Sequence, residues 1–153
     1  MDPGGAGVAV KAPGARLLFV VAPYYRDITE QLLRGARAAA EAGEASADMI
    51  EVPGAFEIPP AIAWHGEAYD GYVALGCVIR GETSHYDYVC DTSARALMTL
   101  SVERRLPIGY GILTVENLAQ AHARAAANGR DKGGEAARAC LALVALKRNL
   151  ARR

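Results

Sequence analysis

The chain has 153 residues, which is long enough for one domain with a sizeable core. Apolar residues make up 52% of the chain and charged residues 22%, a balance typical of a globular rather than a disordered protein. Lysine plus arginine equals aspartate plus glutamate at 17 each, so the overall charge indicates neither a nucleic-acid partner nor an anionic membrane surface.

Cysteine usage and hydropathy narrow the class of protein further. No apolar run has the length of a transmembrane helix, and the first residues lack the apolar core of a signal peptide. The cysteines are Cys77, Cys90 and Cys140, an odd number without metal-ligand spacing, and no pair of histidines has that spacing. We therefore expect a cytoplasmic protein with three reduced thiols and no metal site.

Short apolar runs alternate with helical patterns along the chain. In chain order, strands are predicted at 16–22, 47–52, 71–79 and 107–113, and helices at 27–43, near Ile58, and at 84–105, 116–126 and 135–151. The third run, "GYVALGCVI", is continuously apolar, as a strand covered on both faces requires. The alternation predicts an α/β fold in which a four-stranded parallel sheet carries helices on both faces.

Two of the predicted helices carry end signals. Asp27 followed by Glu30 has the spacing of a capping box, and Gly43 suits the end of the same helix. Pro59 and Pro60 are tolerated only in the first turn of the short helix near Ile58. Between the last two helices, "NGRDKGG" predicts a break in the chain.

Unusual residues follow each predicted strand. The four segments are "PYYRD", "PGAFEIP", "RGETSHY" and "TVEN". The carboxyl ends of parallel strands meet at one edge of the sheet, and open α/β sheets bind ligands there. The sequence therefore predicts a binding site made from these segments.

The segment "RGETS" leads directly into the long helix. Gly81 permits close approach of the backbone, Thr83 and Ser84 add hydroxyl groups, and first-turn N–H groups favour an anion such as phosphate. The simpler interpretation is that Thr83 or Ser84 only caps the helix. The lysine and the glycine spacing of a P-loop are absent, so the phosphate interpretation has less support than such a motif gives.

Two side chains in these segments suit acid–base or polar chemistry. His85 lies in the first helical turn and could accept and return a proton. Glu57 follows Phe56 close to a helix start and could accept N–H or O–H donors. Each also has an ordinary interpretation, as a surface histidine and as a helix cap. His65 and His122 lie amid helical residues and are assigned no role.

Three stretches together resemble a known family. "VPGAFEIP", "GCVIRGETSHYDYV" and "GILTVEN", with "RDKG" downstream, resemble the lumazine synthase family in order and spacing, from about Arg16 to the C-terminus. The resemblance implies a flavodoxin-like three-layer sandwich with a four-stranded parallel sheet. It divides the chain into an N-terminal arm at 1–15, which is flexible or pairs with a sheet edge, and a single domain at 16–153.

The activity implied by the resemblance is a transferase reaction, the penultimate step of riboflavin biosynthesis. It condenses 5-amino-6-ribitylamino-2,4-pyrimidinedione with 3,4-dihydroxy-2-butanone 4-phosphate. The product is 6,7-dimethyl-8-ribityllumazine, with release of phosphate and water. The family uses no metal or organic cofactor.

The resemblance also implies roles for individual residues. His85 matches the proton-transfer residue, and Tyr24 is expected to stack on the pyrimidine. Other substrate contacts are expected from Ala55, Phe56, Glu57, Cys77, Val78, Ile79, Glu82, Thr83, Tyr110, Arg124 and Lys132. Of these, Glu82 and Thr83 would meet phosphate, and Lys132 is the weaker candidate for a polar contact.

An oligomer is implied because the family supplies Tyr110 and Arg124 from a neighbouring subunit. The resemblance implies that this oligomer is a ring of five chains. Whether pentamers assemble further, into a decamer or a 60-subunit shell, is left open by the sequence. In the arm, "GVAVK" is either a disordered terminus or a strand added to a neighbour's sheet, and we favour the strand. Riboflavin synthase is a further implied partner.

The chain departs from the family pattern at two aromatic positions. Pro23-Tyr24 stands where Arg-Phe or Arg-Trp is frequent, and the adjacent Tyr25 leaves the register open, while Tyr110 stands where phenylalanine is common. Two alternative functions follow: a non-catalytic flavin- or lumazine-binding protein on the same scaffold, and an unrelated flavodoxin-like module such as an FMN electron carrier. Retention of His85, Glu57, Thr83 and Arg124 argues against the first alternative.

Overall fold

The computed structural model describes residues 9–81 and 84–152. Its strands are β1 (Arg16–Val21), β2 (Ser46–Glu51), β3 (Gly71–Ile79) and β4 (Ile108–Val115). Its α-helices are α1 (Arg26–Ala42), α2 (Ile58–His65), α3 (His85–Glu103), α4 (Leu118–Ala125) and α5 (Lys132–Ala151). A 3₁₀ turn at Ala55–Glu57 precedes α2. The four strands are all parallel in the order β2-β1-β3-β4, which confirms the predicted α/β fold.

The sheet separates two apolar layers. Leu17 and Phe19 of β1 face α1, α4 and α5, whereas Leu18 and Val20 face α2 and α3. Side chains alternate across a strand, and five of the six β1 residues are buried, so β1 needs cover on both faces. The result is a three-layer sandwich in which every strand-to-strand connection returns over a helical layer.

The N-terminus of α1 differs from the predicted capping box. The helix begins at Arg26, and Tyr25 occupies the N-cap position without a side-chain capping bond. Asp27 therefore lies inside the first turn, and the capping role predicted for Asp27 and Glu30 is wrong. Instead, Thr29 donates its N–H and its hydroxyl to the Tyr25 carbonyl oxygen, at 2.9 and 3.0 Å. The predicted end of this helix at Gly43 is confirmed.

The last helix starts earlier than predicted, at Lys132 rather than Glu135. Asp131 caps it by accepting a hydrogen bond from the Gly134 N–H at 3.2 Å. A Cβ on Gly133 would overlap the Leu32 carbonyl oxygen, so the first turn of α5 packs directly on the α1 backbone. Gly133, one of the two glycines that predicted a chain break, thus permits close helix packing, because a larger residue would hold the two helices apart.

The described part of the N-terminal arm packs on its own chain. Ala12 and Gly14 donate N–H groups to the carbonyl oxygens of Gly43 and Glu44, at 3.0 and 2.9 Å. Lys11 forms an ion pair with Glu44 at 3.1 Å. Residues 1–8 lie outside the described residues, so the pairing of "GVAVK" with a neighbour stays a prediction. Among the helices that the structure describes, none has the length and apolarity to cross a membrane.

Candidate active site

A cavity of about 250 Å³ lies at the carboxyl ends of β1 and β3. The segments after β1 and β2, the end of β3 and the start of α3 contribute to its wall, which is formed by Tyr24, Tyr25, Gly54, Ala55, Cys77, Val78, Ile79, His85 and Val89. The chain leaves the adjacent strands β1 and β3 toward opposite faces, into α1 and α3. A crevice opens where the connections diverge in this way, and it is the usual ligand site of an open parallel sheet.

A larger groove of about 620 Å³ lies between α2 and α3. It is formed largely by apolar groups, including those of Pro59, Pro60 and Leu100. Its charged residues, Asp91 and Arg95, pair with each other at 3.1 Å. The groove contains none of the residues predicted for the site, so its size does not make it the better candidate.

The floor of the cavity is the end of β3. The last pair between β1 and β3 joins Val21 and Leu75, whereas pairing with β4 continues to Ile79 opposite Val115. Beyond Leu75, the main-chain groups of Cys77 and Ile79 point to the side where β1 has ended. They have no strand partner there among the described residues, so they present N–H donors and C=O acceptors to a ligand.

An exposed aromatic ring flanks this floor. Tyr24 is 76% exposed, and its ring lies 4.9 Å from that of Tyr25 at an interplanar angle of 71°. Tyr25 is half-buried against the core, and burial, with Tyr24 and Cys77 nearby, raises its pKa. The two rings thus pack edge to face, and Tyr24 is the more exposed of the two.

His85 is the first residue of α3, and its exposed side chain contributes to the cavity wall. Val89 follows one turn later on the same side of the helix and also contributes. Ser84 occupies the N-cap position, but its side chain makes no capping hydrogen bond. Capping therefore does not explain the hydroxyl of Ser84. The other two predicted residues of this loop, Glu82 and Thr83, lie outside the described residues.

The 3₁₀ turn after β2 places its residues differently. Ala55 is buried and borders the cavity, whereas Phe56 is 58% exposed beside it. Glu57 is half-buried at the N-cap position of α2, again without a side-chain capping bond. Its Oε1 lies toward Gly54, where an added Cβ would be 3.3 Å away. Phe56 and Glu57 thus adjoin the cavity without lining it.

Three further predicted residues lie away from the cavity of their own chain. Tyr110 lies on β4 with 44% of its surface exposed, and burial of the remainder raises its pKa. Arg124 lies on α4 and donates to the Gln120 carbonyl oxygen at 3.2 Å. Lys132 begins α5 and pairs with Glu135 at 3.2 Å. None of these three side chains lines the cavity of its own chain.

The cavity contains a thiol with low reactivity. Burial raises the pKa of Cys77 to about 11, so its thiol is protonated near neutral pH and acts as an apolar wall. Within residues 9–81 and 84–152, no group of three or more His, Cys, Asp or Glu side chains could hold a metal ion. In the cavity wall, the groups suited to binding or proton transfer are the His85 imidazole, main-chain amides and the rings of Tyr24 and Tyr25.

Comparison with known proteins identifies the family. The sequence profile of 6,7-dimethyl-8-ribityllumazine synthase matches residues 14–148. The chain belongs to the 6,7-dimethyl-8-ribityllumazine synthase family. The matched segment includes every residue of the cavity wall as well as Tyr110, Arg124 and Lys132.

Several relatives carry the name 6,7-dimethyl-8-ribityllumazine synthase. The protein of Methylobacterium radiotolerans is 60% identical over 137 residues, covering 88% of this chain and 84% of the relative. That of Bartonella tribocorum is 55% identical over 135 residues, covering 86% and 89%. That of Rhodopseudomonas palustris is 51% identical over 146 residues, covering 91% and 90%.

Three wall residues were not assigned from the lumazine synthase motifs. They are Tyr25, Gly54 and Val89. Helical periodicity could have found Val89, because it lies four residues after His85. The turn predicted at Pro53-Gly54 could have indicated Gly54. Tyr25 was considered only as an alternative to Tyr24 for the stacking position.

Proposed function

We propose that this chain condenses 5-amino-6-ribitylamino-2,4-pyrimidinedione with 3,4-dihydroxy-2-butanone 4-phosphate to form 6,7-dimethyl-8-ribityllumazine. The observation that carries the proposal is that six residues assigned to the site by family resemblance line one cavity. They are Tyr24, Ala55, Cys77, Val78, Ile79 and His85. Membership of the family supplies the reaction, and the cavity supplies a place for it.

The pyrimidine would lie on the end of β3. A pyrimidinedione carries alternating N–H and C=O groups on its edge, which suit the main-chain donors and acceptors of Cys77 and Ile79 that have no strand partner among the described residues. The accessible ring of Tyr24 would stack on the heterocycle. Phe56 and Glu57 would border the ribityl chain, with Glu57 accepting hydrogen bonds from its hydroxyl groups.

The phosphate of the second substrate would lie at the start of α3. First-turn N–H groups and the positive end of the helix dipole favour an anion there. Glu82 and Thr83, outside the described residues, are proposed to provide main-chain donors. Arg124 of a neighbouring chain would pair with the phosphate, since its own chain does not bring it to the cavity.

Positioning supplies much of the rate enhancement in this proposal. The amine of the pyrimidine attacks the ketone, and a Schiff base forms with loss of one water. Elimination of phosphate leaves an enol that becomes a carbonyl group, and the second nitrogen attacks this carbonyl and closes the ring with loss of a second water. Both substrates are intrinsically reactive, so holding them in contact removes much of the entropic barrier. His85 would accept and return protons during these steps, and the donors at the start of α3 would stabilise the departing phosphate.

The site would be completed in a homopentamer. Tyr110 and Arg124 lie outside their own cavity, and β2 and β4 are the two open edges of the described sheet. Large apolar side chains are also exposed on α3 and α5, including Met98, Val102, Leu146 and Leu150. Exposed apolar surface and open edges support contact between copies. We further propose a cytoplasmic location and use of the product by riboflavin synthase.

A condensation assay tests the function directly. Both substrates are mixed with protein or with buffer, and formation of the fluorescent lumazine is followed over time. We expect the protein to accelerate formation and to release one phosphate per lumazine. Tightly bound flavin without acceleration would contradict the proposal and favour a binding protein on the same scaffold.

A further inference from the structure

Arg80, the first residue after β3, connects three elements of the fold. Its N–H donates to the Val115 carbonyl oxygen at 2.9 Å, which continues the pairing with β4. Its Nε lies 3.2 and 3.1 Å from the two carboxylate oxygens of Glu116, just after β4. One terminal guanidinium nitrogen lies 3.4 Å from Asp87, and the guanidinium carbon lies 4.3 Å from the centroid of the Tyr86 ring.

Two of these contacts reach the first turn of α3. Tyr86 and Asp87 directly follow His85, which lines the cavity. The side chain of Ser84, at the N-cap position, makes no capping hydrogen bond to this turn. The side-chain contacts of Arg80 with Tyr86, Asp87 and Glu116 connect the first turn of α3 to the ends of β3 and β4. Arg80 itself is not part of the cavity wall, although its neighbour Ile79 is.

The same network continues into α4. The Glu116 N–H donates to Gln120 Oε1 at 2.9 Å, and Asn117 caps α4 by accepting the Gln120 N–H at 2.9 Å. Arg124 donates to the Gln120 carbonyl oxygen at 3.2 Å. Arg80 is therefore linked, through Glu116 and Gln120, to the helix that carries Arg124.

We propose that Arg80 is a positioning residue that fixes the first turn of α3, and with it His85, relative to the ends of β3 and β4. This inference rests on the proposed function, which uses that turn for phosphate and for proton transfer. Exposed ion pairs such as those of Arg80 add little to global stability. A shift of about 1 Å in a reacting group, by contrast, can lower a rate by as much as about a hundredfold.

The variant Glu116→Gln distinguishes a positioning role of Arg80 from a direct role of its charge. If Arg80 acted on the phosphate through its charge, Glu116→Gln would remove a nearby negative charge and bind phosphate more tightly. If Arg80 acts through its contacts, Glu116→Gln breaks the network and binds phosphate less tightly. Arg80→Lys separates the roles again, because lysine keeps the charge but lacks the planar fork that contacts Glu116, Asp87 and Tyr86 together.

The experiment compares the full-length variants Arg80→Gln, Arg80→Lys and Glu116→Gln with wild type. Arg95→Gln is the matched control, since it breaks the exposed Arg95–Asp91 pair within α3 and links no other element. Steady-state kcat and KM are measured for both substrates, the Kd of inorganic phosphate is measured by calorimetry, and thermal unfolding checks the fold. The phosphate measurement does not depend on turnover.

We expect kcat to fall about tenfold in Arg80→Gln and by a similar factor in Glu116→Gln, with weaker phosphate binding in both and little change in Tm. Arg80→Lys should recover only part of the loss, and Arg95→Gln should match wild type. Full recovery in Arg80→Lys, or tighter phosphate binding in Glu116→Gln, would overturn the positioning role.

The outcomes also separate this role from the function itself. Weaker phosphate binding in both variants, with a wild type that does not condense the substrates, would contradict the function and support the role of Arg80. If wild type condenses the substrates normally and the variants have unchanged kinetics and phosphate binding, the function is supported and the role of Arg80 is contradicted. A wild type with neither turnover nor phosphate affinity would contradict both.

Discussion

Gly35 of α1 contacts the carboxylate of Asp131, the residue that caps α5. A Cβ at position 35 would overlap Asp131 Oδ1. Asp131 is 7% exposed, and it also accepts a hydrogen bond from the Gly134 N–H and pairs with Arg138 at 3.4 Å. The approach of α1 to α5 therefore requires a residue without a side chain opposite a buried carboxylate.

Gly35→Ala should destabilise the protein, although alanine is the better helix former. The gain in helix propensity is at most about 1 kcal/mol. The added methyl group would displace Asp131, which weakens a cap worth about 1 kcal/mol and disturbs a buried ion pair. We expect a net loss of about 1–2 kcal/mol by urea denaturation. Ala38→Gly, at an exposed position of the same helix, measures the difference in unfolding free energy between alanine and glycine without such a contact. If Gly35→Ala stabilised the protein by that same amount, the contact with Asp131 would be contradicted.

His85→Ala should slow catalysis without abolishing it. Loss of acid–base assistance should lower kcat by about ten- to a hundredfold, because the substrates are still held together. Steady-state kinetics measure the effect, and far-ultraviolet circular dichroism checks the fold. Equal kcat values for variant and wild type would remove His85 from the mechanism.

Arg124→Ala should weaken use of the phosphate substrate selectively. The guanidinium would pair with phosphate across the subunit boundary, so KM for the butanone phosphate should rise about tenfold or more, with a smaller change for the pyrimidine. Equal increases in both KM values would contradict the assignment.

A mixture of two impaired variants, assayed at a low concentration of the butanone phosphate, tests whether the site is shared. If each site takes His85 from one chain and Arg124 from the next, co-assembled His85→Ala and Arg124→Ala chains should restore about a quarter of the sites. Activity should rise only after the chains are unfolded and refolded together. Refolding each variant alone is the control, and a mixture no more active than the separate variants would place both residues in one chain's site.

The assembled protein should have a mass that is a multiple of five chains. Open edges at β2 and β4 and exposed apolar side chains on α3 and α5 favour association, and the family resemblance sets the number. Sedimentation velocity at micromolar concentration measures it. A stable and active monomer or dimer would contradict both the pentamer and the shared site.

Cys77 should react slowly with thiol reagents below its raised pKa. Burial moves that pKa to about 11, so the reactive thiolate is scarce at pH 8 and increases as pH rises toward 11. In the unfolded chain, the thiol of Cys77 has a pKa nearer its ordinary value. The thiol therefore contributes stability at pH values below that ordinary pKa, and this contribution is lost as pH rises through about 11. Iodoacetamide labelling followed by peptide mass spectrometry should show this pH dependence, and a substrate in the cavity should protect Cys77. Fast labelling at pH 8 would contradict the burial.

The sequence predicts the strands better than the helix ends. β3 agrees with its prediction to the residue, because an apolar run between Asp70 and the polar "RGETS" marks both ends. The predicted start of α5 was wrong because Gly133-Gly134 indicates a break locally, whereas the contact with Leu32 that requires Gly133 is tertiary. The predicted capping box was wrong because α1 begins at Arg26, one residue before Asp27.

The cavity lies at the sheet edge where the sequence predicts a site, and binding of the substrates there stays a prediction. The strand-end rule located the cavity edge, and the motifs named most of its wall. "TVEN" adds no wall residue, and instead supplies Glu116 to the network of Arg80. That network could not be read from the sequence, because 36 residues separate Arg80 and Glu116 and only the register of β3 with β4 brings them together.

The unpaired edge of β3 has a consequence for mutational tolerance. A ligand held by the main-chain groups of Cys77 and Ile79 is recognised through atoms that nearly every amino acid provides. Side-chain replacements at these positions would alter the size of the cavity while leaving its donors and acceptors in place. Proline is the exception, because it alone removes the N–H. Divergent homologues could therefore differ at both positions and still bind the same heterocycle.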